Sequence, residues 1–320
     1  MEPFRAGFVA IVGLPNVGKS TLLNLLLGQK IAITSPRPQT TRNRILGVRN
    51  LERGQLVLVD TPGLHRPGGR GRTELNKFMM DQALSAIGEV DAVLVLVEAP
   101  SPDEVKRLEH GAYKIGAAHD TLLAALAEAK KPALLAVNKI DLLHKKNFLL
   151  PVMEAWAKAH PFRAVLPISA LRQQGVDELL REVTALLPEG ERLFPEEMVT
   201  DRAERWLAAE MVREQVFVLT RAEVPYAVAV TVDSFAERAA PGQADGRRMD
   251  VVIDATIHVE KEAQKRILVG GGGRMVREIG SRARHEIGRL LDCEVHLKLF
   301  VRVDPGWSQD ARALKELGYE

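Results

Sequence analysis

Residues 8–20 read FVAIVGLPNVGKS, an apolar run followed by a glycine-rich loop that ends in Lys19 and Ser20. The run Phe8–Val12 predicts a buried strand, and the pattern of Ser20–Leu27 predicts a helix. Between a strand and a helix, G-x-x-x-x-G-K-S is the pattern of a phosphate-binding loop, with Mg²⁺ on the serine hydroxyl. We therefore predict a nucleoside triphosphate site. The residues expected to form it are Gly13, Pro15, Asn16, Val17, Gly18, Lys19, Ser20 and Thr21.

Strand-like and helix-like segments alternate along the rest of the first half. The further predicted strands are Leu56–Val59, Ala92–Val97, Ala133–Val137 and Val165–Ile168. The predicted helices between them are Thr73–Ile87, Leu122–Lys130, Leu149–Ala159 and Val176–Leu187. Near-continuous apolar strands alternating with amphipathic helices predict an α/β fold with a doubly wound, mostly parallel sheet. Residues 100–120 receive no assignment.

Three short motifs follow predicted strands. They are Asp60-Thr61-Pro62-Gly63, Asn138-Lys139-Ile140-Asp141 and Ser169-Ala170. The Asp60 carboxylate can reach the ligand shell of a bound Mg²⁺ ion, and the Gly63 N–H can donate to a γ-phosphate. A carboxylate at Asp141 can accept both N1–H and the 2-amino group of guanine, which adenine lacks, and the backbone at Ser169-Ala170 can donate to O6. Asp-x-Pro-Gly alone could be a plain turn, but together the motifs predict GTP at the carboxyl ends of the strands.

With these four motifs in this order, the sequence resembles the translation-factor-like small GTPases. The resemblance implies a first switch loop at Ile31–Ile45, in which Gln39-Thr40-Thr41-Arg42 matches the threonine motif. Either Thr40 or Thr41 would contact Mg²⁺ and the γ-phosphate; spacing does not choose between them. The implied metal ligands are Ser20, Thr40, Thr41 and Asp60, and the implied catalytic residues are Lys19, Asn16, Thr40, Thr41 and Gly63.

Leu64 stands where many GTPases place a glutamine that orients the attacking water. The resemblance therefore implies slow intrinsic turnover that needs help from elsewhere. Asn16 looks like the asparagine that ligates K⁺ in related GTPases, which makes K⁺ a candidate cofactor beside GTP or GDP and Mg²⁺.

The second half has a different order. Pro188-Glu189-Gly190 ends the last helix, and we predict a linker over 189–201. After it come a helix over 202–218, strands over 227–235 and 249–258, helices around a glycine cluster, and a strand over 294–303. A flexible turn is expected at 239–248. The predicted domains are 1–188, the GTPase domain, and 202–320, a smaller α+β domain with a C-terminal tail.

The glycine cluster Gly270-Gly271-Gly272-Gly273 is a G-x-x-G loop between two helices. The loop and the α-β-β-α-α-β order resemble a type II KH domain, which implies binding of single-stranded RNA. The expected RNA-binding residues are Gly270, Gly271, Gly272, Gly273, Arg274, Arg277, Lys265 and Arg266. Ten basic and six acidic residues between 259 and 302 favour this interpretation. The two central loop residues are usually polar or basic, so a simple glycine-rich turn is the alternative.

The composition of the chain excludes several classes of protein. The chain has 320 residues, 46% hydrophobic and 27% charged, with a net charge of +2, and it contains no apolar run of the ~18–20 residues that a bilayer-spanning helix needs. Its one cysteine, Cys293, excludes an internal disulfide and a multi-cysteine zinc site. We expect a cytoplasmic protein.

Taken together, the two halves resemble the Era family, bacterial small GTPases with a C-terminal KH domain. The resemblance implies a switch that binds the 3′ end of small-subunit rRNA when GTP-bound and assists maturation of the small ribosomal subunit. It also implies a peripheral position at the cytoplasmic membrane for some members. Two alternatives stay open: a metabolic phosphotransferase, and a GTPase whose C-terminal domain tethers it to a protein or membrane.

Overall fold

The computed structural model describes residues 3–35, 37–64, 73–108, 113–238 and 250–319. The chain divides into two compact units. The first comprises Met1–Ile31, Thr41–Arg72 and Asn76–Asp201, and the second comprises Ala32–Thr40, Thr73–Leu75 and Arg202–Glu320. The predicted domain boundaries stay predictions, and the turn expected at 239–248 lies outside the described residues.

A mixed sheet with helices along its strands forms the first unit. Its described strands are β1 (Arg5–Gly13), β2 (Ile45–Leu51), β3 (Gly54–Asp60), β4 (Ala92–Glu98), β5 (Ala133–Asn138) and β6 (Val165–Pro167). The helices of this part of the chain are α1 (Lys19–Leu27), α2 (Glu74–Glu89), α3 (Pro102–Leu108), α4 (Asp120–Ala129), α5 (Leu149–Ala159) and α6 (Val176–Ala185). The strand order is β2-β3-β1-β4-β5-β6, and only the β2–β3 pair is antiparallel. The predicted doubly wound, mostly parallel sheet is confirmed.

Parallel strands that are covered on both faces bring their carboxyl ends to one edge. β1 ends at Gly13, β3 at Asp60 and β5 at Asn138, so the phosphate, metal and base motifs meet at that edge. The sequence did not predict β2, because its residues ILGVRNL mix apolar side chains with Gly47, Arg49 and Asn50. That composition suits a half-buried edge strand and lacks the apolar run of the central ones.

The second unit has the element order of a KH domain. Its elements are α7 (Glu204–Leu219), β7 (Val228–Arg238), β8 (Asp250–Val259), α8 (Glu262–Val269), α9 (Arg274–Leu291), β9 (Val295–Val303) and α10 (Ala311–Glu316). The sheet order is β7-β8-β9, with β8 antiparallel to β7 and parallel to β9. α9 buries Ile279, Ala283 and Ile287 at a four-residue spacing, which is the periodicity of a helix with one apolar face. The predicted order is confirmed.

Residues 193–200, inside the predicted linker, are bonded to the first unit. The Gln55 side-chain oxygen accepts from the backbone N–H groups of Leu193 and Phe194 at 2.8 and 2.9 Å. Thr200 Oγ1 donates to the Leu46 carbonyl at 2.6 Å. This segment therefore runs as an ordered strap beside β2 and β3.

The segment Ala32–Thr40, within the predicted first switch, groups with the second unit. There the buried Glu214 of α7 accepts from the Thr34 backbone N–H at 3.0 Å. The buried Arg213 donates to the Thr40 carbonyl. Thr41 belongs to the first unit, so the boundary falls between two adjacent threonines.

Within the described parts of the chain, no helix is both long enough and apolar enough to cross a membrane.

Candidate nucleotide site and RNA-binding groove

The loop between β1 and α1 is shaped by its glycines and closed by Lys19. Gly18 has φ +100°, and a Cβ there would lie 2.3 Å from the Asn138 amide nitrogen, so only glycine fits. Lys19 Nζ donates to the carbonyls of Gly13 and Leu14 at 3.2 and 3.0 Å. Burial lowers the pKa of Lys19 from 10.5 to about 8, and the nearby Asp60 carboxylate opposes that shift. Lys19 is thus buried and held where its ammonium group can contact a bound phosphate chain.

Three oxygen-bearing side chains converge next to it. Ser20 Oγ and Thr41 Oγ1 lie 2.8 Å apart, and each donates to Asp60 Oδ2 at 2.9 Å. All three residues are buried. Burial raises the pKa of Asp60, while the charge of Lys19 and the two hydroxyl bonds pull it back down.

This oxygen cluster fits Mg²⁺. Asp60 Oδ1 is buried and accepts no hydrogen bond from the described residues, so one carboxylate oxygen is available to a cation or its water shell. Mg²⁺ prefers oxygen donors and is bound through one or two carboxylates together with substrate phosphates. When bound, the ion would neutralise charge that develops on the phosphates.

Thr40 and Thr41 are separated clearly by the structure. The Thr41 hydroxyl joins the cluster, whereas the bond made by Thr40 is accepted by its backbone carbonyl. The structure thus brings the Thr41 hydroxyl, and not that of Thr40, into the oxygen cluster.

The base motifs form a second set of contacts at the same edge. Asn138 is 2% exposed; its side chain donates to the Val17 carbonyl at 2.8 Å and accepts from the Ala170 N–H at 2.9 Å. Asn138 therefore holds the two loops together, and its second amide N–H stays available for the base contact that the sequence predicts. Ser169 Oγ donates to Asp141 Oδ1 at 2.5 Å, which fixes the carboxylate predicted to bind guanine.

Lys139 has a partner that sequence reasoning missed. Its ammonium group lies 3.1 Å from the Glu98 carboxylate at the end of β4, and its backbone is left-handed at φ +66°. The register that pairs Glu98 with Asn138 accounts for this proximity; no sequence motif signals it.

The residues after Asp60 are set by close packing. Thr61 Oγ1 donates to the Ile11 carbonyl at 2.8 Å and is fully buried, which is a structural role. A Cβ on Gly63 would lie 2.8 Å from Pro15 Cγ. The Leu64 side chain is 1% exposed within the sheet's core cluster, so it cannot orient a water molecule.

In the second unit, the glycine loop joins α8 to α9 in a conformation that side chains disfavour. Gly270, Gly272 and Gly273 have φ values of +68°, +61° and +77°, in the left-handed region. The guanidinium of Arg277 donates to the Gly272 carbonyl at 2.7 Å and to the Gly273 carbonyl at 3.2 Å. Arg274 donates to Gly271 at 3.3 Å. Both arginines are exposed and lie on the loop itself.

A groove of about 580 Å³ opens between α9 and β9. Of the predicted RNA-binding residues, Arg277 lines it, while Lys265, Arg266, Arg274 and the four loop glycines Gly270, Gly271, Gly272 and Gly273 do not. It is also lined by Ser281, Arg284, His296 and Lys298, which the sequence analysis missed. The sequence spacing could have indicated these residues. Positions 277, 281 and 284 lie on one face of a helix, and positions 296 and 298 lie on one face of a strand.

Comparison with known proteins agrees with both units. The family model described as 50S ribosome-binding GTPase matches residues 8–139, and the KH domain model matches residues 223–308. The chain is 50% identical over 319 residues to the GTPase Era of Geotalea uraniireducens, covering 100% of this chain and 99% of that one. The chain belongs to the Era family of GTPases. This membership excludes the metabolic phosphotransferase.

More distant Era proteins agree over the full length as well. The Era of Lacticaseibacillus paracasei is 44% identical over 319 residues, covering 100% of this chain and 98% of that one. Two solved Era structures are 37% identical, each with a TM-score of 0.88 and 99% of both chains covered. One is Era in complex with MgGDPNP and nucleotides 1506–1542 of 16S ribosomal RNA, and the other is an Aquifex aeolicus Era variant bound to GDP·AlF4⁻.

Proposed function

We propose that this Era-family chain is a GTP-hydrolysing switch that binds the single-stranded 3′ end of small-subunit rRNA and assists maturation of the small ribosomal subunit. The observation that carries the proposal is the Ser20–Thr41–Asp60 cluster beside a buried Lys19, in a chain that also has a KH groove. The Era bound to MgGDPNP and 16S rRNA supports the same combination of ligands.

For the phosphates, we assign Lys19 and the loop N–H groups from Gly13 to Ser20. Ser20 and Thr41 would ligate Mg²⁺, and Asp60 would bind its water shell or the ion. Bound in this way, the metal and Lys19 stabilise the charge that spreads over the γ-phosphate oxygens during transfer.

For the base, we assign Asp141 as the acceptor of the guanine N–H groups and the Ala170 backbone as the neighbour of O6. The bond from Ser169 orients the Asp141 carboxylate. Asn138 ties the phosphate loop to the Ser169-Ala170 loop, so phosphate and base recognition share one rigid frame.

Hydrolysis needs a substitute for the missing glutamine, because Leu64 is buried in the core. The K⁺ role of Asn16 stays a prediction; the residue lies exposed in the phosphate loop at φ +66°. Without a side chain that orients water, we expect slow turnover until a partner completes the site.

For RNA, we assign the glycine loop and the groove beside it. The loop would clamp about four nucleotides by close backbone approach, as KH domains do. Arg277 and Arg284 on α9 and Lys298 on β9 supply positive charge along that groove. Their exposure leaves them accessible to phosphate oxygens.

Binding at the two sites is coupled in the proposed switch. If GTP strengthens RNA binding, RNA must strengthen GTP binding by the same factor, because linkage is reciprocal. The proposed activity places the chain in the cytoplasm. A peripheral position at the cytoplasmic membrane, or a protein tether in place of RNA, is the competing role for the second unit.

The test is binding of a labelled oligonucleotide from the small-subunit rRNA 3′ end, with a scrambled oligonucleotide as control. Affinity is measured with a GTP analogue and with GDP, at two salt concentrations. We expect selective binding that strengthens with the analogue and weakens steeply with salt, since phosphate contacts release counterions. Binding that does not depend on the oligonucleotide sequence, the bound nucleotide or the salt concentration would favour a second unit that tethers the chain to a protein or membrane.

A further inference from the structure

The edge strand β9 carries an exposed row that the proposed function does not use in full. Leu297, Leu299 and Val301 pack on the core of the second unit, so the alternate residues face the other way. These are His296, Lys298, Phe300 and Arg302, which we call the β9 row. Phe300 is 46% exposed, so solvent and a ligand can reach its ring.

Cations surround that ring. Lys298 Nζ lies 5.2 Å from the centre of the Phe300 ring, within cation–π range. The side chains of His296 and Arg302 are 51% and 70% exposed. An aromatic ring flanked by basic side chains at two-residue spacing is the arrangement that single-stranded nucleic acids use, with bases on rings and phosphates on cations.

Carboxylates border the row, two of them on the neighbouring strand β8 and one directly after the end of β9. Asp250 lies 3.9 Å from His296, Asp304 lies 2.8 Å from Arg302, and Asp254 is the register neighbour of Lys298. The two acids on β8 disfavour phosphates over that strand, and Asp254 also lines the groove. The exposed cations of β9 are therefore the favourable contacts for an RNA backbone that leaves the groove.

The row is continuous with the groove. His296 and Lys298 line the groove and belong to the row, whereas Phe300 lies two residues further along the strand. An RNA strand that leaves the groove past Lys298 therefore meets the Phe300 ring next. The KH loop clamps about four nucleotides. A longer RNA strand therefore has further bases that this loop does not bind.

We propose that the β9 row is a second single-stranded RNA subsite, in which one base stacks on Phe300 and the adjoining phosphates contact Lys298 and Arg302. It rests on the proposed RNA-binding function of the groove. The subsite adds affinity for strands longer than the clamp and is tolerant of sequence, because every base has a face that can stack.

The test compares oligonucleotides of about four and about ten nucleotides that share the clamped sequence. Their affinities are measured by fluorescence anisotropy for the full chain loaded with a GTP analogue. Phe300→Leu keeps an apolar side chain and removes the ring; Phe300→Trp keeps a ring. We expect Phe300→Leu to weaken the longer oligonucleotide by about tenfold, from the value of one stacked base, and to leave the shorter one unchanged. Phe300→Trp should retain wild-type affinity for both.

The outcomes separate the two proposals. If the wild-type chain binds the longer oligonucleotide and Phe300→Leu binds it equally well, the second subsite is wrong while the groove stands. If the wild-type chain binds neither oligonucleotide, both proposals fail. Unchanged binding of the shorter oligonucleotide shows that the second unit stays folded in both variants, and GTP-analogue binding measured without RNA is the same control for the first unit.

Discussion

The nucleotide site and the RNA groove use polar groups in opposite ways. At the first, Lys19, Ser20, Thr41 and Asp60 are all buried and hydrogen-bonded to one another or to nearby backbone. At the second, the basic side chains are exposed and the loop is four glycines. A buried network fails when one member is lost, because the partners stay buried and unsatisfied. An exposed surface shares its binding free energy among many weak contacts, so we expect single changes to matter far less there.

The largest effect is expected from Lys19→Ala. It removes the cation beside the phosphates and leaves the Asp60 charge uncompensated in a buried site. GTP hydrolysis per enzyme should fall by ~10³-fold, the upper range for losing one preorganised charge-stabilising group. Steady-state phosphate release measures the loss. A variant that kept even a tenth of the wild-type rate would contradict the burial argument.

A smaller and more selective effect separates the two threonines. Thr41→Ala removes an oxygen from the metal cluster and should lower the hydrolysis rate by ~10²-fold, as for one transition-state contact. Thr40→Ala keeps the backbone carbonyl that Arg213 contacts and is the matched control. The rates should be compared over a Mg²⁺ titration, where only Thr41→Ala should need more metal. Equal losses in both variants would mean that the cluster is not the metal site.

Raising the pH should weaken the nucleotide site gradually. Because the pKa of Lys19 in the folded chain is about 8, the free protein loses this charge above pH 8, and GTP affinity should fall by about tenfold for each further unit. Stability moves the other way. The unfolded chain holds the Lys19 proton up to pH ~10.5, so the contribution of Lys19 to the free energy of unfolding rises between pH 8 and 10.5.

Isothermal titration between pH 7 and 9.5 measures this dependence. The control is Lys19→Arg, whose guanidinium stays charged in that range, so its profile should be flat even if its affinity is lower. A flat wild-type profile would mean that Lys19 titrates outside this window.

The smallest effect is expected in the glycine loop, and it should be a gain. Gly271 does not have a positive φ, and a Cβ there would lie 3.4 Å from Arg274 Nη2, an ordinary contact. Gly271→Lys should therefore fold normally and add one phosphate contact, strengthening RNA binding by a few-fold at low salt and steepening the salt slope by about 1. Gly88→Lys, at an exposed and open position on α2, adds the same charge elsewhere. Equal effects of the two variants would show that only net charge matters.

The sequence predicts the motif-bearing parts of the nucleotide site because their chemistry needs fixed residue types at fixed spacing. It cannot choose between Thr40 and Thr41, since both have the same side chain and adjacent positions; only the path of the backbone separates them. It cannot show that Asn138 holds two loops, because Val17 and Ala170 are distant in sequence. The Glu98–Lys139 pair depends on strand register in the same way.

The second unit was predictable in its order of elements and less so in its surface. The glycine loop and the apolar spacing of α9 identify the KH order. The groove residues Ser281, Arg284 and Lys298 carry no motif, because an exposed face tolerates many side chains and leaves little pattern to detect. The sequence did not predict β2 for a related reason. An edge strand is only partly buried, so it does not need a continuous apolar run.

The position of β9 at the edge of its sheet has a consequence for the behaviour of the protein in solution. An edge strand presents unpaired backbone groups that can pair with the edge of another molecule, and exposed lysines and arginines are a common protection against such aggregation. Lys298 and Arg302 stand on that edge. Their charges would keep concentrated protein from stacking strand to strand, and bound RNA would cover the same edge. Solubility and RNA occupancy would then rest on the same few side chains.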